Sequence, residues 1–477
     1  MWQLMVEDRQ RVRRLLKRGR YDDASLTGWG RLDDLVAMML GLGVFDVLGE
    51  IKTEITKSCY IPRWFINNVL ALKTLMGEES LNAIQDGMFK DEAILRIAGC
   101  TAREISDGFD PYRNKGKNKP CNVDSLRYSI EHTSCEAVEG AFRRVSKLIQ
   151  HGKILRGKVY ILDATKVVVY GDYEGAGQKR TIEEVTLKNG RTVKREVVEK
   201  GIKVVTLSHL YKGRLIVVAA RWIPIEQHEI TVSDELIDEV LDSFGKGAIQ
   251  LLLADRGFLD GERMHKWKSK GIDTIIPLKS NMVMLEDMKS LAQSKDGVVF
   301  KRTDLEIWGC EELETLDSYK GKVNGILVTK FRKKRVPRDQ QWGFVTTLPV
   351  NTPARVLKVY DSYDDRSLVE NKEYRELKQG WKIKNFWGRN KKAITFQVYF
   401  HLMMYSLVGI YKSKAGDTFA DRGIRRLRRE HLRPGLRVIV YVDRYYAVFE
   451  FREFLEMLGK PPSGKLDDVR FTFGRPP

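Results

Sequence analysis

Apolar and polar positions change their spacing several times along this chain, and each change predicts a new element. Over Leu35–Ile51, Pro62–Gly77 and Glu92–Ala98 apolar residues recur at helical spacing, with Pro62 suited to a first turn. Asp107–Pro120, rich in Gly, Pro, Asn and Lys, reads as a linker or basic loop. Ser125–Gln150 is helical again. At Gly157 the pattern switches. KVYILDATKVVVY is a short, β-branched, nearly continuous apolar run, as expected of a strand buried on both faces. The polar stretch Gly171–Lys200 holds Asn189-Gly190 between alternating residues, a hairpin signal. IKVVTLSHL and LIVVAARWI flank the turn Tyr211–Arg214 as a second hairpin. A helix over Ser233–Leu241, a buried strand in AIQLLLAD, a helix over Glu262–Lys270 and a strand in DTIIPLK follow.

The order is therefore three strands, helix, strand, helix, strand. Hairpin-joined strands followed by alternation predict an α/β fold, a mixed sheet with flanking helices, in the element order of an RNase H-like core. Three strand-rich runs, VVFKRTDLEIW, VNGILVTKF and WGFVTTLPV, interrupt that core, and Thr352-Pro353 then caps a long helical region. The expected organisation is a helical N-terminal region (1–152), the first part of the core (157–285), a β-rich insertion (286–350), the remaining core helices (351–413) and a basic C-terminal region (414–477).

Charge narrows the partners. Lys and Arg number 83 against 64 acids, a formal charge of +19, which predicts a negatively charged partner, nucleic acid before membrane. With 43% hydrophobic residues the chain is not wholly disordered. The uncharged stretch Ala393–Tyr411 approaches the length of a membrane span but carries Thr395, Gln397, His401, Ser406 and Gly409, so it reads as a buried helix. The N-terminus is charged too early for a signal peptide. Five cysteines without a C-x-x-C pair predict a reducing, cytoplasmic setting, with neither disulfides nor zinc. GKPPSGKL imitates a phosphate-binding loop, but Leu466 stands where Ser or Thr is required.

The candidate chemistry lies in three carboxylates. Asp163 is an acid inside an apolar strand, costly to bury without a cation. Asp255 ends LLLAD, where open sheets place their ligand crevice, and Arg256 follows it. Glu370 lies in the later helical region. At about 100° per residue, Tyr363, Arg366, Glu370, Tyr374 and Lys378 share one helical stripe. Converging carboxylates would hold two divalent cations for phosphodiester chemistry, with Mg²⁺ suited to hard oxygen ligands. Satisfied strand-end aspartates and a solvated ion-pair face are the plainer alternatives. Arg425, Arg426, Arg428 and Arg429 crowd one segment, either to contact phosphates or as a solvated basic face.

These motifs resemble the DDE transposases of prokaryotic insertion sequences, in the group named after insertion sequence four. That group's signature is Tyr, two residues, Arg, three residues, Glu, six residues, Lys. Tyr363, Arg366 and Glu370 match it, whereas Lys378 comes one residue late. YILDAT, LLLADRGF, VENKEYRELKQGW and the tail GIRRLRREH with VIVYVDRYYAVFEF also resemble the family, over roughly Lys158–Leu458. The resemblance implies Asp163, Asp255 and Glu370 as catalytic metal ligands for two Mg²⁺, with Mn²⁺ able to substitute. It implies phosphate contacts from Tyr363, Arg366 and Lys378, and Lys279 in PLKSN matches a phosphate-contacting position or is a surface lysine. Trp342, 28 residues before Glu370, either stacks on a flipped base, as in hairpin-forming members, or packs in the β-rich insertion. The implied partners are transposon terminal inverted repeats and target DNA, bound by a homodimer in the nucleoid. The rival functions are a non-catalytic, basic DNA-binding protein and an RNase H-like nuclease that does not join strands.

Overall fold

The computed structural model describes residues 6–28, 32–54, 60–109, 119–151, 155, 157–186, 192–331, 340–414, 422–432 and 437–459. The Asn189-Gly190 turn, the middle of the Asp107–Pro120 loop and GKPPSGKL beyond Gly459 lie outside the described residues. The chain divides into two compact units, Lys153–Arg375, and Met1–Gly152 with Glu376–Pro477.

The unit Lys153–Arg375 is built on one large sheet. Its strands are β1 (Val159–Val168), β2 (Gly177–Thr186), β3 (Thr192–Tyr211), β4 (Arg214–Pro224), β5 (Leu251–Ala254), β6 (Asp273–Pro277), β7 (Val298–Arg302), β8 (Leu305–Leu313), β9 (Val323–Lys330) and β10 (Gln340–Thr346). Helix α1 (Ser233–Phe244) precedes β5, and α2 (Gly261–Ser269) precedes β6. The path β4-β3-β1-β5-β6 runs antiparallel, antiparallel, parallel, parallel. This is the RNase H-like order read from the apolar runs. β1 lies centrally between β3 and β5, and its consecutive residues Tyr160–Asp163 are all buried, so both of its faces are covered, which explains its nearly continuous apolar sequence.

β3 is long because it serves three partners. Its first half pairs with β2, and its second half lies between β4 and β1. Gly201 sits at the switch, and a Cβ there would fall 2.3 Å from the Val167 carbonyl oxygen, so the close approach requires glycine. The strands of residues 286–350 do not form a sheet of their own. β10 pairs antiparallel with β6 and continues the core sheet, through β9 and β8 to β7. Helix α3 (Val283–Gln293) packs under this extension through Leu285 and Met288, which lie against Gly343 of β10.

The other unit joins the two ends of the chain. Strands Val6–Glu7, Tyr445–Glu450, Arg437–Val442 and Asp23–Thr27 form a four-stranded sheet in that order. Val12, Leu16, Val438, Val440, Phe449 and Phe454 fill its core. The sequence placed helices alone before residue 152, because a two-residue strand and a five-residue strand leave little periodic signal. Helix Lys391–Lys414 is long and apolar enough to cross a membrane, yet 94% of its most apolar window is buried within the fold. Phe142 of helix Cys135–His151 packs on its Tyr399, with ring centroids 5.3 Å apart. Gln397 satisfies its polar atoms by accepting from the Trp387 N–H and donating to the Ile383 and Asn385 carbonyls.

Candidate active site

Strand register brings the two aspartates together. Leu162 of β1 is opposite Ala254 of β5, so Asp163 and Asp255 occupy the next rung at the C-terminal end of β5. The third carboxylate arrives on a different element. Helix α4 (Pro353–Asp364) starts at Thr352, whose Oγ1 accepts the Arg355 N–H at 3.3 Å. After α4 the chain turns at Arg366 and rewinds as a π-helix, Val369–Tyr374, which carries Glu370.

One guanidinium nitrogen collects all three acids. Arg366 Nη2 lies 2.8 Å from Asp163 Oδ2, 3.4 Å from Asp255 Oδ1 and 3.2 Å from Glu370 Oε1. The side chains grade from 5% exposed at Asp163 through 35% at Asp255 to 62% at Glu370, so the cluster opens to solvent on one side. Burial pushes the Asp163 carboxyl up to about 6, and the Asp255 and Glu370 charges add to that. Arg366 and the Ala164 N–H, which donates to Asp163 Oδ1 at 2.7 Å, oppose the rise. Burial also disfavours the Arg366 charge, but Asp163, Tyr363, Asp255 and Glu370 outweigh it and raise the guanidinium above its ordinary value. Burial raises the Tyr363 phenol, the three carboxylates add to the rise, and its ring rests 4.6 Å from that of Phe344 on β10.

The 100° stripe holds only in part. Tyr363, Arg366 and Glu370 reach the site, but the π-helix turns Tyr374 away. Tyr374 Oη lies 3.1 Å from Thr206 Oγ1 and is buried. Beside it is a group that sequence reasoning missed. Glu373 is fully buried and accepts from Thr206 Oγ1 at 2.9 Å and Ser208 Oγ at 2.8 Å. Thr206 is the cross-strand neighbour of Asp163. The available signal was TLS in β3: two hydroxyls at alternate positions of an apolar strand face one side and need a polar partner.

The remaining candidates scatter. Arg256 is exposed in the turn after Asp255, and Lys279 is exposed after β6. Trp342 is half-buried on β10 and by alternation shares the strand face of Phe344, the one that meets Tyr363. Lys378 is exposed on a second π-helix, Glu376–Gly380, which belongs to the other unit.

The arginine run needs a correction. Arg428 does not face outward to phosphates. Its guanidinium donates to the Thr74, Leu75 and Gly380 carbonyls at 2.7–2.8 Å and stands over Trp381. It fits tightly over Gly77, where a Cβ would come within 2.6 Å of it. Thr74 and Leu75 end helix Arg63–Met76, whose last carbonyls lack intrahelical donors, so this arginine caps the helix. Arg425, Arg426 and Arg429 are exposed, with Arg426 and Arg429 sharing Glu430. Neutralising these three is expected to flatten the log–log salt dependence of duplex binding by up to ~0.9 per lost contact. Arg428→Gln is expected instead to lower the melting temperature at any salt. Titrations at several KCl concentrations and thermal melts check both, and an unchanged slope would remove the segment from the DNA interface.

The donor chemistry fits a hard divalent cation. Three carboxylate oxygens already converge on a single positive atom, at distances about 1 Å longer than the roughly 2.0–2.1 Å of Mg²⁺–oxygen bonds. Among the described residues no three His, Cys, Asp or Glu side chains stand at metal-ligand geometry; the three oxygens here close on the Arg366 nitrogen instead.

Residues 155–407, a little over half of the chain, match the family described as transposase DDE domain. The chain is also similar to a piggyBac transposase solved by cryo-EM as a synaptic complex with hairpin DNA, at 10% identity and a TM-score of 0.36, over 98% of this chain and 91% of that one. A search of curated sequences finds no significant match.

Proposed function

This chain belongs to the family of DDE-domain transposases, and from that premise we propose that it cuts DNA at transposon ends and joins them to a target, as a member of the insertion-sequence-four group. The observation that carries the site assignment is the meeting of Asp163, Asp255 and Glu370 on one nitrogen of Arg366.

Asp163, Asp255 and Glu370 would hold two Mg²⁺ ions, with Mn²⁺ able to substitute. Bound cations supply activation of the attacking oxygen and stabilisation of the leaving one. Asp163, deepest and most enclosed, fixes the inner edge of the site, and exposed Glu370 forms its outer, solvent-facing edge. Water attacks the phosphodiester and leaves a 3′-hydroxyl and a 5′-phosphate. That 3′-hydroxyl then attacks a phosphodiester of target DNA and expels a new 3′-hydroxyl, so the number of ester bonds is unchanged in the joining step. Arg366 neutralises the carboxylates before DNA arrives and grips a phosphate afterwards, a fork suited to that oxyanion. Tyr363, Arg256, Lys279 and Lys378 add backbone contacts, as do Arg425, Arg426 and Arg429. These contacts position DNA without reading its sequence. Two ends must be paired, which calls for a homodimer on terminal inverted repeats, at the nucleoid in the cytoplasm.

The test is incubation with Mg²⁺ and DNA carrying the sequences that flank this gene, followed by separation of nicked and joined products. Nicks without joining would leave an RNase H-like nuclease, and binding without nicks a non-catalytic protein. Trp342→Ala refines the outcome. In a hairpin route the freed 3′-hydroxyl first attacks the opposite strand, and an indole stacked on the base unpaired there contributes ~1–3 kcal/mol, so its loss should slow hairpin closure roughly 5- to 150-fold and spare the first nick. A denaturing gel on end-labelled DNA separates the two. Equal loss of both products would make Trp342 a packing residue of β10.

A further inference from the structure

Glu373 is a carboxyl group with no place in the chemistry above. Its side chain is fully buried, and both of its oxygens are taken, by Thr206 Oγ1 at 2.9 Å and Ser208 Oγ at 2.8 Å. With the Thr206 hydroxyl committed to Glu373, the Tyr374 hydroxyl must donate to Thr206, so two consecutive residues of the π-helix are tied to one strand. That strand is β3, and Thr206 sits directly across from Asp163. The clasp thus links the strand beside the innermost metal-ligand candidate to the turn that carries the outermost one.

We propose that Glu373 is a positioning residue of the catalytic centre, holding the π-helical turn in the phase that points Glu370 at Asp163 and Asp255. The winding explains the need. In an α-helix Glu373 would lie about 60° around the axis from Glu370, nearly on the same face. At roughly 80° per residue, a π turn sets them about 120° apart, so one can enter the sheet while the other faces the cleft. An i→i+5 turn inside an α-helix is a strained insertion that reverts unless its side chains are pinned. Burial of Glu373 and Tyr374 against exposed Glu370 is the pinned arrangement. Burial also pushes the Glu373 carboxyl up to about 7, against the lowering effect of its two hydroxyl partners, so a neutral amide of the same shape can replace it.

The inference rests on the assignment of Asp163, Asp255 and Glu370 as cation ligands, and the experiment separates the two. Mn²⁺ affinity of the full chain, without DNA, is measured by calorimetry for wild type, Glu370→Gln, Glu373→Gln, Glu373→Leu and Thr206→Val, alongside melting curves. Glu373→Gln should bind within about two-fold of wild type. Glu373→Leu should bind ~10–100-fold more weakly, the usual loss when a group supporting a metal ligand is removed. Thr206→Val, nearly the same shape, should show a smaller loss in the same direction and stands in if Glu373→Leu does not fold. A folded Glu373→Leu, or Thr206→Val in its place, with wild-type affinity overturns the positioning role while Glu370→Gln still binds weakly. Equal losses in Glu373→Gln and Glu373→Leu also overturn it, because charge and not the clasp would then matter. Undiminished affinity in Glu370→Gln overturns the ligand assignment, and this inference with it.

Discussion

Asp163→Asn is expected to lower DNA nicking by ~10³-fold or more, about 4 kcal/mol of transition-state stabilisation, with duplex binding in gel shifts nearly unchanged. Asparagine keeps the shape and can still accept the Ala164 N–H that Asp163 Oδ1 accepts at 2.7 Å. It removes the one carboxylate that is almost wholly shielded from solvent, where a fixed negative charge attracts a cation most strongly. The wild type should also show a pH signature. Without a cation the Asp163 carboxyl is held up to about 6, chiefly by burial. Protons and divalent cations compete for it, so Mn²⁺ affinity and nicking should rise with pH through about 6 and level off above. Rates on end-labelled DNA between pH 5 and 8, with circular dichroism to verify folding, measure both effects. Near-wild-type nicking by Asp163→Asn would remove this residue from the metal site.

Arg366→Gln should destabilise the metal-free protein and make it more responsive to Mg²⁺ than wild type. The guanidinium is 13% exposed and is the shared partner of three acids. Removing one member of a buried ion pair costs roughly 3–5 kcal/mol. Asp255 and Glu370 are open enough for solvent to screen them, so ~2–3 kcal/mol is expected, mostly from Asp163. The sign of the pH effect follows. Without Arg366 the folded Asp163 holds its proton more firmly still, above its unfolded value. Stability is then retained in acid and lost as pH rises through the folded value, so the variant's deficit should be larger at pH 8 than at pH 5. Mg²⁺ binding the freed carboxylates should recover about 2.7 kcal/mol at a concentration 100 times its dissociation constant. Melting curves in EDTA and in Mg²⁺, at both pH values, test this. Equal Mg²⁺ responses in variant and wild type would mean that arginine and cation do not share the same oxygens.

The core was legible in the sequence because its signals are local. Apolar runs of strand length around Asp163 and before Asp255, with turn residues between hairpin strands, dictate a mixed sheet whatever the rest of the chain does. Tyr363, Arg366 and Glu370 were legible as a spaced set, and all three reach the acid cluster. Tyr374 was assigned to the wrong surface, because a wheel of about 100° per residue has no way to register a π turn.

Some features depend on partners distant in sequence. Arg428 resembles its neighbours in the arginine run, and only the free carbonyls of a helix more than 300 positions earlier single it out as a cap. Strands 286–350 read as an interruption, yet the open edge of β6 takes β10 as its next strand. The terminal strands are too short to signal alone and gain their hydrogen bonds from each other. Glu373 looked like one more acid on a charged helix until β3 placed two hydroxyls against it. The sequence by itself determined the elements of the core, their order and three acids with a neighbouring arginine, because side-chain periodicity and backbone propensity act over a few residues. Tertiary structure alone decided which edge was extended, which arginine became a cap and which glutamate was buried, because a buried polar group is tolerated only where a distant segment supplies its hydrogen-bond partner.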